Sequence, residues 1–576
     1  MQASAVITFL VVLITGSTTA FCRTGSEAAM PTASDFGPNV LIFDPSMKDI
    51  QDRIDEVFRQ QERSQFGPTR YAIMFKPGNY DLDVQVGFYT QVLGLGKSPD
   101  DVTITGAVRS KARWMANNNA TCNFWRCAEN LSVIPTMDNK INIWAVSQAT
   151  ALRRVHVKGA LNLWDGGWSS GGFIADCKID GNVDSGSQQQ WFSRNAQWGA
   201  WKGANWNMVF LGVSNPPPGR WPDPPYTVID KTQVIREKPF LCVNEDGRFF
   251  VHVPSLNTNG TVGITWDSET TPGVSLPIDQ FHIARPDRDN AASLNSALNS
   301  GKHLLLTPGI YHLNESIRVT RPRAIVLGLG YATLEVTNGT AALLISDVDG
   351  VKVGGLLIEA GPANSGVLVE VGDPCSRTSH AADPIFLWDL FCRVGGAHPA
   401  KATCMVKINS SDVVGDNFWL WRADHGHGVG WTSNPNKNGL IVNGNNVTIY
   451  GLFVEHTQEY QTIWNGNGGR VFFYQSEMPY DPPSQEAWKH GNVNGYASYK
   501  VADTVTTHEA WGLGVYCVFY AAPVVADNAI ETPETAGVKM HHMVTIRLGG
   551  QPNSGIKSVI NGKGASVITT RKAVVD

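Results

Sequence analysis

The five residues Val92-Leu93-Gly94-Leu95-Gly96 recur as Val326-Leu327-Gly328-Leu329-Gly330. Each copy closes the same series: an amphipathic helix-like segment, an apolar strand, a Pro-Gly-x-Tyr turn and a second strand. The first series runs over residues 46–96 and turns at Pro77-Gly78-Asn79-Tyr80. The second runs over residues 289–330 and turns at Pro308-Gly309-Ile310-Tyr311. A stack of strands must cover its open end, because that edge would otherwise pair with another chain. A short helix with Ile50, Ile54, Val57 and Phe58 on one face suits the task. A repeated cap predicts a repeated stack.

Short β-branched runs follow each cap, as in Val102-Thr103-Ile104-Thr105, Val155-His156-Val157, Val351-Lys352-Val353 and Val447-Thr448-Ile449-Tyr450. Gly, Asn and Asp separate them, and amphipathic helices between them are scarce, which argues against βαβ units. The expectation is an all-β chain of two tandem right-handed parallel β-helices, with a β-sandwich as the alternative. The first β-helix is placed at residues 36–235, a connector with some strand of its own at 236–280, and the second β-helix at 281–576. A chain of 576 residues is long enough for two cores.

A formal charge of -5 without a basic stripe excludes nucleic acid as a partner. The apolar run Ala3–Ala20 ends in small residues and reads as a signal peptide over residues 1–20. Its strongly apolar part is too short for a bilayer span, so a secreted, membrane-free monomer is expected. Seven N-x-Ser/Thr sequons agree with secretion: Asn119, Asn130, Asn259, Asn314, Asn338, Asn409 and Asn446. Nine Cys leave at least one unpaired in a monomer. Cys122 and Cys127 are close enough in sequence to form a local pair, and no spacing resembles a zinc site.

A β-helix coil takes roughly 20–25 residues, so residues one coil apart stack about 4.8 Å from each other. Glu455 and Glu477 are one such interval apart, as are Gln148 and Ser170. Two stacked carboxylates do not both ionise easily, and one retains a proton at neutral pH. A protonated Glu is what a glycosidase needs as general acid. From spacing alone, two outward-facing, solvated Glu are the favoured description.

The stretches Phe418-Trp419-Leu420-Trp421-Arg422-Ala423-Asp424-His425, Tyr450-Gly451-Leu452-Phe453-Val454-Glu455-His456 and Gln475-Ser476-Glu477-Met478-Pro479-Tyr480 resemble glycoside hydrolase family 55. So do Trp144-Ala145-Val146-Ser147-Gln148-Ala149-Thr150, Ser170-Gly171-Gly172-Phe173 and Gln189-Gln190-Trp191-Phe192. The resemblance runs in order over most of the chain. It implies tandem β-helices, a β-1,3-glucan substrate and no cofactor. It further implies Glu477 as general acid, Glu455 as its neighbouring essential carboxylate, and Gln148 and Ser170 as holders of the attacking water. Trp421, Asp424 and Tyr480 are implied as walls and hydrogen-bonding groups of the terminal glucose subsite. Arg422, Gly426 and the segment 428–438 depart from the family pattern, which leaves linkage and chain-length preference open.

Inverting hydrolysis wants its acid and its water on opposite sides of the sugar, roughly 6.5–9.5 Å apart. Stacked Glu455 and Glu477 are closer than that, so the water is expected across a cleft between the two β-helices. His425, His427 and His456 raise the question of a metal, but no ligand spacing supports one. Asp180, Asp184 and Lys158 raise a polysaccharide lyase as a rival, and a non-catalytic glycan-binding or wall protein is a third reading. Trp198, Trp201 and Trp206 suit core or inter-helix packing better than a sugar groove.

Overall fold

The computed structural model describes residues 33–267 and 272–576; the expected signal peptide lies outside them. The described residues form one compact unit. Parallel strands stack coil upon coil in two β-helices, which rules out the sandwich. The first centres on a 15-stranded sheet between Val40 and Ile229, and the second on sheets of 12 and 9 strands from Phe281 onward. The chain between them forms a three-stranded antiparallel sheet of Phe240–Val243, Phe249–Pro254 and Gly273–Pro277.

Both caps are α-helices. Ile50–Gln61 buries Ile50, Ile54 and Val57, while Phe58 is only half-buried. Ala291–Asn299 buries Ala291, Leu294 and Leu298 and starts with a capping box between Asn290 and Ser293. The Pro-Gly-x-Tyr turns repeat down to the atom. Tyr80 donates its hydroxyl proton to the carbonyls of Phe43 or Lys76, at 3.2 and 2.8 Å, and Tyr311 to those of Ala284 or Thr307, at 2.8 and 3.0 Å. Gly78 and Gly309 have φ of 145° and 154°. A Cβ at either would lie 2.4 Å from a proline ring, Pro45 or Pro286, so glycine is required on both counts.

The Val-Leu-Gly-Leu-Gly strands are apolar throughout because both their faces are covered. Val92 and Val326 fill the separate interiors of the two β-helices. Leu93, Leu95, Leu327 and Leu329 share one cluster between them. Farther along, that interface becomes aromatic, with Phe88, Trp125, Phe173, Trp388, Trp419 and Phe453 among its members. Trp198 and Trp201 pack inside the first β-helix against Phe210, and Trp206 meets Tyr516 of the second.

A chain of alternating buried charges also crosses the interface. Lys238 joins Glu129 at 2.6 Å to Asp389 at 3.1 Å. Arg153 joins Asp389 to Asp416, both at 2.8 Å. Arg194 joins Asp416 at 2.9 Å to Glu237 at 2.6 Å. All seven side chains are at most 8% exposed. A buried pair gains little over an apolar one, yet removing one member strands its partners in low dielectric.

Two sequence expectations are corrected. Cys122 and Cys127 are both free. The strand Arg126–Pro135 carries Cys127 into the interface, beside Glu129, Lys238 and Tyr331, whereas Cys122 stays on the wall of a different cavity. Asn130 and Asn409 are buried, and their amides already donate, to Gly94 and Gly96 and to Glu370 and Gly372. They are unsuited to carry glycans. Asn259, Asn314, Asn338 and Asn446 are exposed and Asn119 is half-exposed.

Asp416→Asn is expected to lower unfolding free energy by about 3–5 kcal/mol, because Arg153 and Arg194 lose a shared counter-ion. Denaturant unfolding measures this; an unchanged midpoint would show that the ionic chain does not hold the interface. Glycopeptide mapping of protein from a eukaryotic host should find Asn130 and Asn409 bare, and a glycan on either would refute their burial.

Candidate active site

The strands Val413–Arg422, Thr448–Glu455 and Gly469–Glu477 are consecutive coils of the second β-helix. Their register aligns Trp421 with Glu455 and Glu455 with Glu477, so the 22-residue interval is one coil. Glu455 and Glu477 end their strands and Trp421 stands one residue from the end of its own, and the next segments turn away and open a cavity of about 230 Å³. All seven residues expected in the site line it: Gln148, Ser170, Trp421, Asp424, Glu455, Glu477 and Tyr480.

The first β-helix supplies the opposite wall. Ser170 Oγ lies 3.3 Å from Gln148 Oε1, and Gln148 Nε2 donates to Glu455 Oε1 at 2.7 Å. Trp419 Nε1 donates to the other oxygen, Glu455 Oε2, at 2.7 Å. Each oxygen of Glu455 therefore receives an N–H, which favours its charged form. Glu477 accepts from the Tyr480 hydroxyl. Burial pushes both glutamates up, and Glu477 pushes Glu455 up further. The two carboxyls therefore resist being charged together, while the two N–H donors on Glu455 favour its charged form.

Asp424 and His425 form the far wall as an ion pair at 3.0 Å. Burial opposes the Asp424 charge, but the His425 hydrogen bond and His456 outweigh it and hold Asp424 at about 2. Burial also opposes the His425 charge, but Asp424 and Cys122 raise it to about 10. The Gln65 amide lies 2.6 Å from His425 Nε2. The amide nitrogen stands there; a protonated imidazole donates at that atom and calls for the amide turned over, with its oxygen as acceptor. Phe66 stacks on Trp421 at 6.3 Å. Gln65 and Phe66, just past the first cap helix, thus back the far wall from behind.

The departures now have local reasons. Gly426 has φ of 101°, and a Cβ there would lie 2.5 Å from the Gly396 carbonyl and 2.7 Å from Phe66. Arg422 is buried and points away from the sugar site. It grips Asp481 with two hydrogen bonds of 2.8 Å, donates to the Asn434 and His456 carbonyls, and lies over Trp431. It therefore ties the segment 428–438 to the residue after Tyr480.

Other candidates scatter. His425 is held by Asp424 and Gln65, His456 reaches the Met478 carbonyl at 3.1 Å, and the backbone of His427 pairs with Gly396. Lys158 pairs with Asp100, Asp180 takes a hydrogen bond from His156, and Asp184 caps Gly186; none of the three lines the cavity. Sequence reasoning missed Trp419, although its position two residues before Trp421 puts it on the same strand face. It also missed Cys122, Gln189 and Leu548 of the lining, and Gln65 and Phe66, for which the sequence carries no signal.

Paired carboxylates facing a neutral Gln-Ser pair, on a double β-helix, define a carbohydrate-cleaving hydrolase rather than a lyase. Residues 281–477 match the LAM55 pectate lyase-like domain. The chain is 51% identical over 521 residues to an exo-β-1,3-glucanase from Streptomyces sp. (strain SirexAA-E / ActE), covering 90% of this chain and 85% of that protein. The solved structure of sacteLam55A from Streptomyces sp. SirexAA-E superposes with a TM-score of 0.91 at 49% identity, covering 94% of this chain and 98% of that one. A variant of sacteLam55A in complex with glucose also gives 0.91, at 48% identity, covering 95% and 99%. The chain belongs to glycoside hydrolase family 55.

The Tyr480 hydroxyl favours the charged form of Glu477 and so lowers its pKa. Tyr480→Phe should raise that pKa and move the high-pH limb of kcat/KM upward by roughly one unit. The sign follows because an acid must be protonated to act, and activity falls as pH rises through its pKa. A limb that stays put or moves down contradicts the contact.

Proposed function

We propose that this protein removes glucose units from the ends of β-1,3-glucan chains by inverting hydrolysis outside the cell, acting as a monomer. The exo-β-1,3-glucanase relative and the glucose complex of sacteLam55A support the substrate class. The backed far wall of the cavity supports action at chain ends, because Trp421, Asp424 and His425 have Phe66 and Gln65 behind them. The apolar run before Ala20 and the exposed sequons support secretion.

One observation carries the mechanism: the path Ser170–Gln148–Glu455 crosses from the first β-helix to the second, with Glu477 on the next rung. Glu477 donates its proton to the departing glycosidic oxygen. Ser170 and Gln148 orient the water on the other face of the sugar. Glu455, the carboxylate hydrogen-bonded to Gln148, takes up the proton that the water loses as its oxygen bonds to the anomeric carbon and the glycosidic bond breaks. Glu455 is poorly placed as a nucleophile because both its oxygens are engaged by Gln148 and Trp419. Asp424, held ionised, accepts hydroxyl protons of the terminal glucose, and Trp421 walls its ring.

Reducing-sugar release from laminarin should fall about 10²–10⁴-fold in Glu477→Gln, with an unchanged melting curve. Release unaffected by the substitution would remove Glu477 as the acid. No release by the unaltered protein would refute the substrate.

A further inference from the structure

A second cavity, of about 300 Å³, lies where the connector sheet meets the first coils of the second β-helix, and it shares no lining residue with the catalytic one. Arg236, Arg321, Arg323 and Lys352 line it, with His303 and a single carboxylate, Asp383. Val253, Leu276 and Ile325 contribute an apolar side. The register explains the convergence: His303, Ile325 and Lys352 occupy one rung position on successive coils. Arg321 and Arg323 come from the turn just before Ile325.

Four cations face one carboxylate, and that carboxylate is shared. Asp383 accepts from Arg236 at 3.2 Å and from Arg323 at 2.8 Å. Lys352 is 5% exposed, and its ammonium donates to the Gly350 carbonyl but to no carboxylate among the described residues. Nε of Arg236 and of Arg321 are buried without an acceptor. Burial and Arg236 push Lys352 down to about 8. Burial, with Arg321 and Lys352, pushes His303 down to about 4. A neutral His303 accepts the Ile325 N–H and an Arg321 N–H at Nδ1, at 3.1 and 3.2 Å, which fixes its own proton on Nε2. Two of the four cations, Arg321 and Lys352, thus have no carboxylate partner among the described residues, and the other two share Asp383. Lys352 is the one cation of the four that is both buried and without a carboxylate, and a buried charge is costly until it is paired.

We propose that this cavity is an anion-binding site for a phosphate- or sulfate-class oxyanion, free or carried on a sugar. Such a group presents several acceptors and up to two negative charges, matching guanidinium forks around a point-charge ammonium. The volume and the apolar side leave room for a sugar ring beside the charged group. Completion of the site also raises the Lys352 pKa, so binding near pH 8 takes up protons.

Isothermal titration of the purified protein with inorganic phosphate, and separately with glucose 6-phosphate, tests this. The expected result is saturable binding that weakens with salt, with proton uptake at pH 8 read from heats in buffers of different ionisation enthalpy. Lys352→Met and, independently, Arg321→Ala should each weaken binding by about tenfold or more while the melting transition persists. Tighter binding of glucose 6-phosphate than of phosphate identifies a sugar-borne group; equal binding identifies the free ion. Absence of binding by the unaltered protein at millimolar phosphate, or equal binding by both variants, overturns the proposal.

Discussion

The catalytic cavity exists only because two β-helices are held in one fixed register, and the buried charge chain from Glu129 to Glu237 is the most specific tie between them. Apolar and aromatic contacts tolerate small slides, since dispersion and burial are not directional. The paired hydrogen bonds of Arg153 with Asp389 and of Arg194 with Asp416 and Glu237 are not tolerant. Gln148 must reach Glu455 across the same interface to 2.7 Å. A displacement of an ångström would break that bond and leave the two walls of the site unconnected.

Within the second β-helix one rung position runs the length of the stack. Successive coils place His312, Glu335, Glu359, Arg393, Trp421, Glu455, Glu477 and Tyr516 in register. The ladder contains two pairs of stacked glutamates, and only their surroundings separate them. Glu359 is neutralised by Arg393 at 2.7 Å. Glu455 and Glu477 have no arginine or lysine partner among the described residues, receive N–H and O–H donors instead, and share a cavity with Asp424. The same residue type at the same structural position is thus ion-paired in one place and without a cationic partner in another, and its ionisation differs according to the charge beside it.

Much of the architecture was legible because it is local or periodic. The repeated cap, turn and Gly-rich strand exposed two stacks, and Glu455 and Glu477 were visible from the length of one coil. The connection of Gln148 to Glu455 spans 307 residues, and no spacing rule reaches that far; family resemblance placed both residues in one site but did not give the contact. Arg153, Arg194, Asp389 and Asp416 read as ordinary charges in β-rich sequence, because their partners lie in the other β-helix. Cys122 and Cys127 misled because nearness in sequence says nothing about a strand that starts between them. Gly426 and Arg422 looked like departures near a sugar subsite; one makes room for Phe66 and the other anchors the chain behind Tyr480.

The central claim is a division of labour, with the proton on the second β-helix and the water on the first. Stereochemistry reads that division directly. Proton NMR during the first turnovers on a β-1,3-glucan oligosaccharide should show α-glucose first, with β-glucose growing in only at the rate of mutarotation. β-Glucose as the initial product would contradict the account, because it would require a carboxylate such as Glu455 to attack the sugar and the Gln148–Ser170 pair to have some other task.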